Sequence, residues 1–522
     1  MNNPITTPTS LKFNPNSRGA TFDNFTFYIP IPKPSLQRSE ILRNLRHGRG
    51  LFNRTCPPEI LLIIFEMLMH DALGDETTKL GREPVLELAK KAGHVGGEGA
   101  SSVQTLLRLA HVCLHWRSVA TLSPSLWCKL RYTLFGPPDD NSRIVEYKTP
   151  MRLGLLFSRE MPLTLFFAAK HHGQEEDKET IIEHNGKNYV DAFYSAFKPL
   201  LDAKHRWKHI RIDSHLCVSA SSAETVYLCD MPLLEDLSIR SPLDLAKEDP
   251  LFIINLNQSS QLRTLHLNGD FSLETLTTTL SKLRSIQLFY REDVRSDFPS
   301  VKDVVMLISA APQLEVLQVD IAGDAIPAHR IDIHSEAMKT FGLRVNDETD
   351  EAARYLLDSV TFPNLLTFEV DIGRGEEEGD GPQSHIEEFL RRSNAPLETF
   401  VLCSVEIREE NIYQLLELMP QLVSLWFEDV TLTEDFIKKM TLKKNAEKIY
   451  CPLLEQLLFR DCDITDDPIG NMDLMALMVS SRRYGVHGCL EDFTLSNSGW
   501  KGLARHGVMQ ACVMDGLMLH CS

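Results

Sequence analysis

His111, Cys113 and His115 have the side chains of a metal site. Their spacing argues against one, because residues two apart on a helix point to different faces and a single ion cannot collect all three. His171 and His172 stand beside an acidic run from Gln174 to Glu179 and read as solvated. The glycine-rich stretch Gly93-His-Val-Gly96-Gly97-Glu-Gly99 lacks a following Lys-Ser/Thr and the strand-to-helix setting of a phosphate loop. The run Arg374 to Gly381 reads as a solvated acidic loop, or more sharply as a contact for a basic segment of another protein. Eleven cysteines are scattered with no CxxC pair, so neither a zinc site nor a disulfide framework is indicated. No Ser/His/Asp or Cys/His arrangement has supporting context. These residues predict a protein with no catalytic, cofactor or metal site, and reduced thiols suit the cytoplasm or the nucleus.

The chain that must position any site is long. At 522 residues it exceeds a single core of ordinary size. Hydrophobic residues make up 43% and charged residues 24%, as in folded proteins. The formal net charge is -18, and residues 1–54 are themselves net basic, so the body is more acidic than the total suggests. An acidic body is a poor match for a phosphate backbone, which disfavours nucleic acid as a partner. The longest apolar run lies around Leu61 to Phe65, far short of the ~20 residues a bilayer needs, so no membrane partner is expected either. Residues 1–50 are polar and proline-bearing, with little periodicity beyond a short helical pattern near Leu36 to Leu45, and read as mostly disordered.

From about residue 201 to 522 one pattern recurs. L-x-x-L-x-L appears with leading residues Trp207, Leu234, Leu262, Leu283, Leu314, Met338, Leu365, Leu397, Leu422, Leu454 and Leu490. The mean step is about 28 residues, inside the range of leucine-rich repeats. In three copies the register runs on through Val405/Ile407, Val430/Leu432 and Cys462/Ile464, where the template closes the turn after the strand. Pro232, Pro312, Pro363, Pro420 and Pro452 each stand two residues before a leading position, after helical segments such as Val301–Ala311 and Asn411–Met419. Each unit therefore reads as strand, turn, helix, proline. Stacked copies predict an α/β solenoid with a curved parallel sheet and outer helices, closed by a helix over Trp500–Gln510 and a strand at Leu517 and Leu519.

A different unit precedes it over residues 51–131. Pro57-Pro58-Glu59 opens an apolar helix on which Ile60, Leu61, Ile64 and Leu68 fall at helical spacing, and prolines in a first turn forfeit no helical bond. Val112-Cys113-x-x-Trp116-Arg117 follows, then Ser123-Pro-Ser-Leu-Trp127. Residues 71–102 interrupt the two blocks, and 132–200 read as a connecting segment.

The three blocks resemble an F-box, in the diverged form common in mushroom-forming fungi, with Cys56 where that family usually has Leu and with an insertion the ordinary F-box lacks. Joined to the repeats, the chain resembles an F-box/leucine-rich-repeat protein. The resemblance implies a substrate receptor of an SCF-type cullin–RING ubiquitin ligase. The F-box would dock on the Skp-type adaptor, and the repeats would hold an unidentified protein target. The adaptor-binding set it implies is Pro57, Pro58, Ile60, Leu61, Ile64, Val112, Trp116 and Trp127, the two tryptophans serving mainly the three-helix core. The alternative is a non-ligase scaffold whose helical unit only caps the repeats. Exposure of the Pro57–Ile64 face separates the two.

Overall fold

A computed structural model describes residues 56–73, 102–135, 150–170, 197–214 and, with short interruptions, 225–521, plus the dipeptides 21–22 and 25–26. Most of the N-terminal segment, most of the 71–102 interruption, His171–His172 and the acidic run 374–381 fall outside the described residues.

Fourteen parallel strands form one sheet in chain order. They are β1 (Lys129–Phe135), β2 (Leu163–Lys170), β3 (Trp207–Ser214), β4 (Asp236–Ser241), β5 (Thr264–Gly269), β6 (Ser285–Phe289) and β7 (Val316–Ile321). The series continues with β8 (Thr340–Val345), β9 (Thr367–Ile372), β10 (Thr399–Cys403), β11 (Ser424–Glu428), β12 (Gln456–Arg460), β13 (Asp492–Ser496) and β14 (Met518–Cys521). Every strand pairs with the next in sequence, which is the mark of a stack of like units, each burying its apolar side against its neighbours. The second and third apolar positions of L-x-x-L-x-L keep strict register across the sheet. Leu237, Leu265, Ile286, Leu317 and Phe341 stand opposite one another, as do Phe368, Phe400, Leu425, Leu457 and Phe493 further on.

The sheet starts earlier than the sequence pattern indicates. Residues 132–200, read as a connecting segment, carry most of β1, all of β2 and helical turns at 150–157 and 197–200. Trp127, Leu130 and Tyr132 fill the three repeat slots of the first unit, with aromatic rings where leucines are usual. In the second unit the pairing slips by one residue between Leu163 and Thr164, which breaks the three-residue spacing.

Most repeats enter their strand through the same turn. The leading residue donates its N–H to the carbonyl three residues back, as Leu234 to Met231, Leu314 to Ala311, Leu422 to Met419 and Leu454 to Cys451, at 3.0–3.3 Å. Pro232, Pro312, Pro420 and Pro452 thus occupy the second position of a β-turn, where a φ near -65° is required and no donor is lost. The three copies with the extended register close differently. Ser404, Asp429 and Asp461 each follow their strand with φ of 51°, 53° and 48°. Each donates its N–H to the next strand, at 2.8, 3.0 and 2.9 Å, and Cys462 behind them donates its thiol to Phe427 O at 3.3 Å. A left-handed Ser costs about 1–2 kcal/mol, partly recovered by glycine against its larger unfolded-state entropy. Ser404→Gly is therefore expected to raise stability by about 0.5–1 kcal/mol; a lowered urea midpoint would show that the Ser404 turn is not under this strain.

The back of the sheet changes character along the stack. Behind β4–β6 lie three short parallel strands, Val226–Leu228, Phe252–Ile254 and Phe271–Leu273. Later repeats carry helices, which follow the three of the N-terminal unit: α4 (Val301–Ala310), α5 (Glu351–Ser359), α6 (Gln383–Ser393), α7 (Glu409–Glu417), α8 (Glu434–Met440), α9 (Met472–Tyr484) and α10 (Gly507–Met514). The closing unit has a 3-10 turn at Leu503–Arg505 before α10, so its helix starts later than the sequence indicates. Among the described residues no helix is long and apolar enough to cross a membrane.

Arginines fasten successive repeats. Arg392 in the last turn of α6 donates to Val360 O at 2.7 Å and to Leu357 O, the carbonyls that end α5. Arg482 in the last turn of α9 donates to Met440 O at the end of α8. Arg206 does the same for the turns ending at Met161. The final carbonyls of a helix have no partner within it and sit at its negative end, so a cation from the next repeat satisfies both needs.

Candidate docking site

Three helices precede the sheet: α1 (Pro58–Leu73), α2 (Ser102–Ala110) and α3 (Leu114–Leu122), followed by a 3-10 turn at Pro124–Trp127. Pro58 is the first residue of α1, and Pro57 O accepts the N–H groups of Ile60 and Leu61, both at 3.1 Å. The Val112-Cys113-x-x-Trp116-Arg117 block has a structural account at each key position. Cys113 caps α3, its sulfur accepting from Trp116 N at 3.4 Å. Trp116 meets Phe65 of α1 edge-on, with ring centroids 5.1 Å apart. Arg117 Nε donates to Ala110 O at 3.1 Å and so closes the end of α2. His115 Nε2 lies 3.0 Å from Cys56 O, pinning the α2–α3 corner beside the start of α1. Partial burial, aided by the charge of Arg117, lowers the His111 pKa. Cys113 and His115 thus have separate structural duties, and no grouping of metal-ligating side chains exists among the described residues.

The unit shares a core with the first repeat. Val103 and Leu106 of α2 are fully buried, with Trp127, Leu130, Tyr132 and Met151. Gly154 sits where an added Cβ would come within 2.9 Å of Leu130 Cδ2 and Tyr132 Oη and 3.1 Å of Val103 Cγ2. Trp127 packs its ring 4.7 Å from Phe157 and donates Nε1 to Ala120 O at 2.6 Å. A helical unit ending near residue 131 is therefore not separable from the sheet.

The eight residues singled out from the sequence divide. Pro57, Pro58, Ile60 and Val112 are exposed, and Ile64 and Trp116 are half-buried against the core. Leu61 and Trp127 are both 0% exposed, so neither can touch a partner, and both leave the proposed contact set. Leu61, Phe65 and Met69 form the buried stripe of α1, one position round from the face that the Ile60/Leu61/Ile64 spacing suggested. In exchange the structure adds residues the sequence reading missed. Ile63 and Met67 are 52% and 45% exposed and continue the stripe begun by Ile60, at helical steps of three and four. Leu114, 76% exposed, lies next to His115 and so at the same end. The result is an apolar surface from Pro57 along α1 with no described segment covering it.

Fold and surface together define an α/β repeat stack capped at its start by a helical unit with an exposed apolar face. A scan against protein-family models returns no match for the chain, and a comparison with curated proteins returns none either.

Proposed function

We propose that the chain is an F-box/leucine-rich-repeat substrate receptor, docking on the Skp-type adaptor of a cullin–RING ubiquitin ligase through α1. The carrying observation is the exposed stripe of Ile60, Ile63 and Met67, with Pro57, Pro58, Val112 and Leu114 at its end. Isolated apolar side chains on a surface are ordinary, but a continuous stripe along one helix marks an interaction site. The receptor itself performs no chemistry; it raises the effective concentration of a bound target beside a charged transfer enzyme. Residence in the cytoplasm or the nucleus follows from that role. The competing reading, a non-ligase scaffold with a capping helical unit, draws on the core that α2 shares with β1. The same unit can cap with one face and dock with the other.

Because of that shared core, removing the helices would unroof the first repeat, and point changes are the cleaner test. Ile60→Asp with Ile63→Asp is expected to abolish co-purification of the adaptor, since loss of central apolar contacts costs about 2–4 kcal/mol, or about 30- to 1000-fold in affinity. The melting curve should stay unchanged, because both side chains face solvent. Retention of the adaptor by the double variant would overturn docking through α1, and failure of the unaltered protein to capture the adaptor would leave the scaffold reading in place.

A further inference from the structure

The exposed face of the sheet is not uniform in charge. At the entry of the strands a row runs Lys208, Glu235, Arg263, Arg284, Glu315, Lys339, and these side chains neutralise one another. Lys208 and Arg263 flank Glu235 at 3.3 and 3.9 Å, while Arg284 and Lys339 flank Glu315, Lys339 at 2.6 Å. Hydrogen bonds from Lys339 and Arg284 hold the Glu315 carboxyl below its ordinary range. From β9 onward the alternation stops. Leu366, Glu398, Val423, Glu455 and Glu491 occupy the row; the three carboxylates are exposed, and no cation pairs with them among the described residues.

The middle of the same face changes as well. Upstream it is polar, with Gln287 and Gln318 joined at 2.6 Å and Gln318 reaching across the bare backbone of Gly342 to Glu369 at 3.2 Å. Over β10–β12 it becomes apolar: Val401, Trp426 and Leu458 stand in register, with Trp426 38% exposed, Leu458 half-buried and Val401 showing only its edge at 8%. At the far end of the strands Asp371 and Glu428 border the strip, partnered by Arg344 at 2.9 Å and Arg460 at 3.3 Å. Burial works against the charge on Arg344, but Asp320 and Asp371 outweigh it and raise its pKa. Burial, joined by Asp371, Glu428 and Glu369, pushes the Cys403 thiol upward. The field over this face is negative.

We propose that the Val401–Trp426–Leu458 strip, with Glu398, Glu455 and Glu491 along one side, is the target-binding surface and takes an extended basic segment with an apolar anchor between its Lys or Arg residues. The occupant follows from complementarity: a large apolar group desolvates Trp426, and cations meet carboxylates that no described residue neutralises. Lys and Arg also carry apolar stems that can lie along the strip while their heads reach its rim. The inference rests on the receptor reading only for the word target. The surface itself stands apart from α1.

The probe is a fluorescein-labelled dodecapeptide in which a Lys or Arg stands at every third position with Leu-Phe pairs between, titrated against the full chain by anisotropy. A second peptide has Ser in place of Leu and Phe, and a third has Glu in place of Lys and Arg. The first peptide should bind about tenfold or more tightly than either control. Trp426→Thr, which keeps a strand-forming residue, should weaken it about tenfold. Glu398→Gln with Glu455→Gln and Glu491→Gln should weaken it by a similar factor and flatten its salt dependence. Matched changes at Glu351, Glu387 and Glu434 on the helices should leave it within about twofold. Equal binding of the first two peptides, or indifference to Trp426→Thr in a variant with an unchanged melting curve, would overturn the inference. Adaptor capture measured on the same proteins keeps the two ideas apart. Peptide binding without adaptor capture sinks only the ligase role, and the reverse sinks only this surface.

Discussion

Replacing Arg482 by methionine is expected to destabilise the protein by about 3–5 kcal/mol. The guanidinium is 2% exposed, and Nε, Nη1 and Nη2 donate to Met440 O at 2.7 Å, Cys451 O at 3.0 Å and Tyr450 O at 3.0 Å. Burial lowers its pKa, yet an arginine starts so high that it stays charged at neutral pH. Methionine fills much of the same volume, so packing is largely retained. What is lost is the donor set, leaving Met440 O and Tyr450 O unmet at about 1–3 kcal/mol each before relaxation, while Cys451 O keeps the Leu454 N–H. Lysine should rescue only part, because one ammonium cannot reproduce a rigid fork reaching three acceptors. Urea unfolding of the three proteins measures this directly. A cost under about 1 kcal/mol for methionine would mean that water replaces the guanidinium, and the fastening role would fall.

The second large effect is expected at Phe389. Its ring, fully buried in α6, lies 6.0 Å from both Phe341 and Phe362 and 5.0 Å from Phe368 by ring centroid. Phe341 and Phe368 themselves stack at 5.7 Å across adjacent strands. Phe389→Ala opens a cavity at this junction and should cost about 3–5 kcal/mol. Because each repeat contacts only its neighbours, a weakened junction in mid-stack also divides cooperativity. Calorimetry should then show two unfolding transitions where the parent shows one, with hydrogen exchange rising first around β8 and β9. A single transition shifted as a whole would indicate that coupling passes round the cavity.

The repeat register was legible because L-x-x-L-x-L puts apolar residues on one side of each strand, and Leu237, Leu265 and Ile286 have no alternative burial. The first two strands were hidden by chemistry and geometry: Trp127 and Tyr132 take leucine slots, and the slip at Leu163 disrupts the count. The docking face failed for another reason. Residues 60–65 are apolar on every side, so periodicity within α1 cannot say which face is inside. That choice is made by α2, which the sequence places beyond a long interruption. Fastenings such as Arg482 to Met440 carry no local signature, since their partners are backbone groups of a preceding repeat.

One strand per repeat, in unbroken register from β3 onward, has a metric consequence. Neighbouring strands lie about 4.8 Å apart, while an extended chain advances about 3.3 Å per residue. A segment laid across the strands therefore falls out of step at once and returns to step when three of its residues span two strands. Glu398 and Glu455 stand two strands apart with Trp426 on the strand between. A ligand crossing here would be read as a beat between two rulers, with positive charges recurring every third residue.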